Sequence, residues 1–180
     1  MRPSLVRLVA VAALLVAGQA AGHPGPKVLD AVVASVGQRP ILWSEVLGRA
    51  LPSLQELSPD KRAAARDRIL AQSLERLIEE RLIEVDAALL RITIEPHEVD
   101  DGLARIRQDN HLTDAELAQE LAKRGLSQQD YRDEIRRQIL EQKWTQRRLV
   151  PAMTGSVTQA EARKSRLEQL RADVDVEVRK

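Results

Sequence analysis

The chain has 180 residues, with 28 Lys and Arg against 27 Asp and Glu and no cysteine. Without a thiol there is no disulfide frame, no thiol nucleophile and no cysteine-based metal site. Near-neutral mixed charge, with only 2% aromatic residues, leaves neither a basic stripe nor a set of stacking side chains for nucleic acid.

The first segment, MRPSLVRLVAVAALLVAGQA, carries Arg2 and Arg7, an apolar run over 8–16 and then small residues. That order is the grammar of a secretory signal peptide, and the run is short for a bilayer span. Cleavage is expected after Ala20, with Gly22 as the alternative site and a retained anchor as the alternative reading. Removing residues 1–20 leaves 26 Lys and Arg against 27 Asp and Glu, a net charge of −1. Residues 21–27, rich in Gly and Pro, read as a flexible leader.

Residues 28–36 read as a strand, Gly37 as a turn position with positive φ, Pro40 as a restraint, and 41–43 as the returning strand. Ser44 is the expected N-cap of a first helix ending near Leu57, with Glu45 at its positive end. Ser58-Pro59-Asp60 opens a second helix that should run to about Leu90. Its core stripe reads as Leu70, Leu74, Leu77, Leu82, Val85 and Leu89, widened by Ile78 and Ile83.

Pro96 opens a helix ending near Asn110. Thr113-x-x-Glu116 is a capping box, and Gly125 a C-terminal stop. Ser127-x-x-Asp130 opens a helix to about Val150, followed by a linker over 151–157. Thr158-x-x-Glu161 opens the last helix, to about Ala172. Val174, Val176 and Val178 then alternate with polar residues as a strand. A lone hairpin is marginal, so the last strand is expected to pair with the first. The fold class is therefore mainly α with a small β-sheet.

Residues 34–46, ASVGQRPILWSEV, resemble the opening hairpin of SurA-type periplasmic chaperones. Residues 74–140 are similar to the rest of that family's N-terminal helical module. The likeness is carried by the Leu-Ile-Glu helix, the Ile-x-Ile break, Asn110 with Leu112-Thr113, the Gly125-Leu126-Ser127 turn and Tyr131-Arg132. Residues 158–180 more weakly resemble its terminal helix and strand. The module is thus expected over 28–150, completed by 158–180. Arg91 stands where a glycine is common in the family. Members usually carry parvulin prolyl-isomerase domains before the terminal helix, whereas here only PAMTGSV fills that place. No isomerase activity is expected.

The resemblance implies a periplasmic, ATP-independent holdase for unfolded secreted or outer-membrane proteins, without cofactor. A dedicated adaptor of an envelope assembly or secretion machine is the alternative, and a homodimer with exchanged terminal segments is a further state to test. His97 and His111 lack ligand-spaced partners, and adjacent acids such as Glu79-Glu80 point to different helix faces. No metal site or carboxylate-pair catalysis is expected. The client-binding candidates are Trp43, Ile41, Trp144, Leu149, Val150 and Met153. Each is open to a core reading and to a groove reading, since exposed apolar surface rimmed by charge is what a holdase requires.

Overall fold

The computed structural model describes residues 30–179, so the expected signal peptide and leader lie outside the described residues. Strands β1 (Val32–Val36) and β2 (Arg39–Leu42) form an antiparallel hairpin. Gly37 turns it with φ +57°, a conformation that is cheap only without a Cβ. β2 begins at Arg39 and includes Pro40. It has a neighbour on one side only, which is where a strand tolerates proline. The last strand, β3 (Val176–Val178), pairs antiparallel with β1 from the other side, giving the order β2-β1-β3. Gly37 N–H donates to Asp175 O at 2.7 Å and Arg179 N–H to Val33 O at 2.9 Å, extending the ladder at both ends. The expected union of the two ends of the chain is observed.

Helix α1 (Trp43–Gln55) starts two residues earlier than it would with Ser44 as its cap. Leu42 is the N-cap. Its N–H donates to the Glu45 carboxylate at 2.9 Å, while the Ser44 N–H donates to Asp30 at 3.1 Å. The Ser44 hydroxyl also donates to Asp30. The acceptor for the Ser44 N–H thus comes from upstream, from Asp30. Helix α2 (Pro59–Leu89) has 31 residues, about 46 Å of rise. Its first turn is exposed. Arg62 reaches back from it to the carbonyls of Leu54 and Leu57 at the end of α1, at 2.8 and 3.1 Å. Toward the C-terminal end the buried face is Leu82, Ile83, Asp86 and Ala87. Val85 lies at the margin and Leu89 is 74% exposed, so the expected stripe is wrong at its last position.

Helices α3 (Pro96–Asp109), α4 (Asp114–Lys123) and α5 (Gln128–Trp144) follow, then α6 (Gln159–Asp173). The boxes Thr113–Glu116, Ser127–Asp130 and Thr158–Glu161 all form as read. Gly125, at φ +70°, closes α4 with Leu126 N–H on Leu121 O at 3.0 Å. After Trp144 the helix widens into a π turn (Thr145–Leu149) and then tightens over Val150–Ala152. The wider turn keeps Trp144, Arg148 and Leu149 turned toward the same interior.

The main core joins the sheet, α1, α2, the end of α5 and α6: Ala34, Val36, Ile41, Val46, Leu82, Trp144, Leu149 and Leu170 are among its members. Val99, Leu121 and Ile135 are buried apart from it and form the small core of an arm built by α3, α4 and the start of α5. There α3 comes so close to α5 at Gly102 that a Cβ would lie 2.9 Å from Ile135 Cγ2.

Candidate functional site

Between α1, the middle of α2 and the first turns of α5 runs an open groove of about 520 Å³. Gly48 and Pro52 line it from α1, Leu77 from α2, and Leu126 and Tyr131 from the arm. Nothing approaches within 4 Å of where a Gly48 Cβ would stand, so that wall is backbone and open space. Leu126 is 44% exposed. Tyr131 is shared with a smaller cavity of about 230 Å³ under α3 and α4, so one ring joins the groove to the arm.

The rim is charged but internally paired. Arg49 meets Glu80 at 2.8 Å, Arg81 meets Glu45 at 2.6 Å and Glu84 at 3.1 Å, and Arg137 meets Glu134. Burial pushes the Glu80 carboxyl up, against the pull of Arg49 and Arg137 and with help from Glu134. A paired rim imposes little net field. The groove offers small apolar surfaces between alternating charges, a lining that suits an extended polypeptide of mixed sequence.

The six candidates from the sequence do not assemble into this site, and none lines it. Ile41 and Trp144 are fully buried and Leu149 is 1% exposed. For these three the core reading holds, because each sits where the sheet, α2 and α6 close over it. Trp43 is half-buried against the main core. Val150 and Met153 are exposed at the end of α5, away from the groove. The apolar lining was not read as a site: Gly48 and Pro52 lie within α1, Leu77 reads as core stripe, and Leu126 lies in the turn before α5. Leu126, an apolar residue following a helix-stopping glycine, and Tyr131, the lone tyrosine, were the available signals.

Trp144 belongs to a second arrangement the sequence did not reveal. Asp86 is fully buried. Its carboxylate accepts from Trp144 Nε1 at 2.7 Å, from Arg148 Nε and Nη2 at 2.9 and 2.6 Å, and from Arg166 Nε and Nη2 at 3.2 and 2.6 Å. Burial alone would raise its pKa, but the donors from Arg166, Arg148 and Trp144 outweigh that and hold it at about 2. Arg163 lies over the Trp144 ring, 5.9 Å from its centre. Five donors on one buried carboxylate fasten α2, α5 and α6 together. The node leaves no acceptor free for chemistry, and among the described residues no group of acids and histidines is arranged to hold a metal.

A solved structure from Campylobacter jejuni is similar in fold over 80% of this chain, at 19% identity and a TM-score of 0.47. It comes from work describing the virulence factor PEB4 and the periplasmic protein Cj1289 as two structurally related SurA-like chaperones. The match spans 51% of that chain, so this sequence corresponds to about half of it. No curated protein matches significantly. The SurA N-terminal domain matches residues 29–145, from the start of the hairpin to the end of α5. The chain belongs to the SurA N-terminal domain family.

Proposed function

We propose that the protein is an ATP-independent periplasmic holdase that receives extended apolar segments of unfolded secreted or outer-membrane proteins, without isomerase activity. The observation that carries this reading is the open groove between α1, α2 and α5, with apolar patches at Pro52, Leu77, Leu126 and Tyr131 inside a paired charged rim. Shallow apolar contact gives weak, sequence-tolerant binding, and the charged rim keeps the loaded protein in solution. Among the described residues no helix is long and apolar enough to cross a membrane.

Light scattering from a diluted, unfolded outer-membrane barrel protein tests the proposal, using protein from residue 21 onward. Near-stoichiometric suppression of aggregation is expected. Crosslinks from a Leu126→Cys probe should then map client to the groove, with Val150→Cys as the distant control. Absence of suppression moves the reading to a single-partner adaptor. A proline-limited refolding assay should show no acceleration.

A further inference from the structure

A second cleft lies on the other flank of α5. Lys143 stands nine positions after Glu134, about 180° round a 3.6-residue helix, so the cleft and the groove open on opposite sides. Its volume is about 470 Å³, and it is lined by Arg91, Ile92 and Thr93 from the α2–α3 loop and by Lys143, Gln146 and Arg147 from the end of α5. Three features set it apart. Arg91 and Arg147 meet no carboxylate among the described residues; Arg147 has only the Leu90 carbonyl, at 3.2 Å. Lys143 is shared between Glu98 at 2.6 Å and the Thr93 carbonyl at 2.9 Å, which fixes its ammonium at the cleft wall. Arg91 holds φ +53°, a left-handed conformation in which glycine would be cheaper. The arginines of the groove rim, Arg49, Arg81 and Arg137, are by contrast all paired.

We propose that this cleft is a binding site for phosphate oxyanions. Two guanidinium side chains, an ammonium that also serves Glu98, and the polar residues Thr93 and Gln146 line the cleft from two elements. A phosphate carries more negative charge than a carboxylate and accepts around a tetrahedron, which suits a cleft with cations on two elements. The cleft, at about 470 Å³, has room for pyrophosphate or a phospholipid headgroup.

The test uses protein from residue 21 onward. Calorimetric titration with inorganic pyrophosphate should give one site. Arg91→Gly should weaken it about tenfold, the loss of a charge-assisted contact, while the melting temperature holds or rises because glycine relaxes the turn. Arg147→Gln should weaken binding similarly, and Arg68→Gln, removing an exposed cation elsewhere on α2, should leave it unchanged. Cosedimentation with phosphatidylglycerol vesicles, against phosphatidylcholine alone, separates the two sources. Vesicle binding that pyrophosphate displaces and Arg91→Gly weakens identifies a lipid headgroup; binding of pyrophosphate alone identifies a soluble phosphate. Binding of neither probe overturns the proposal, as does binding indifferent to Arg91 and Arg147. A glutamate-rich peptide binding as tightly through the same arginines also overturns it, in favour of an acidic polypeptide site.

Discussion

In the body, a carboxylate, an indole and two arginines from three helices meet at Asp86. In the arm, three buried apolar side chains and a series of capping boxes suffice. The partners of Asp86 lie 58, 62 and 80 positions away, while the capping pairs of the arm are three apart. The contrast separates long-range closure from local encoding. The body holds together only when distant segments are all in place. The arm is assembled from helices that each carry their own start and stop signals, and it is the part that borders the groove through Leu126 and Tyr131.

The largest effect expected is from Asp86→Ala, which strands two arginines against the core. A loss of about 3–5 kcal/mol in urea unfolding is expected, with the body and arm both losing amide protection. If only one helix frays, Asp86 is not the closure point. Ile135→Ala should cost about 2–4 kcal/mol but act in the arm: faster exchange in α3 and α4 with the sheet unchanged separates it from a body mutation. Acid sharpens the comparison without a mutation. Asp86 has a folded-state pKa below its ordinary 3.8, at about 2. Its contribution is therefore complete above 3.8 and is lost as the pH falls from there through about 2. It amounts to roughly 2 kcal/mol. Replacing Asp86 by Asn should flatten that segment of the stability–pH curve. The smallest effect is expected from Thr113→Ala, about 1 kcal/mol, confined to the first turn of α4 and read by exchange at Glu116 and Leu117.

The same contrast explains what the sequence disclosed. The three capping boxes, the Gly37 and Gly125 turns and the pairing of β3 with β1 were legible because each rests on local backbone chemistry or on a plain alternation of side chains. The Leu42 cap was not, since its support comes from Asp30, beyond the window in which a cap is sought. Leu89 was taken for core because it is apolar; the helix face beneath it is set by Asp86 and Ala87, and a periodicity search passes over a buried carboxylate. Trp144, Ile41 and Leu149 were named for their area, yet area is also what a core without phenylalanine must use. The groove is lined by residues of α1, α2, the turn at Leu126 and α5, whose meeting depends on how the arm docks, which no spacing rule encodes.

The pairing of Val36 with Val176 joins positions about 140 residues apart, and β3 is the last strand of the sheet. Synthesis runs from the amino end, so β1 and β2 exist about 140 residues before the strand that completes that rung. Until then β1 has a neighbour on one side only, and its other edge is a bare row of amide and carbonyl groups. Bridging such a separation is slow compared with forming any of the helices. Closure of the sheet thus waits for β3, and in the interval the hairpin presents the same kind of unpaired strand edge as the clients proposed for this protein.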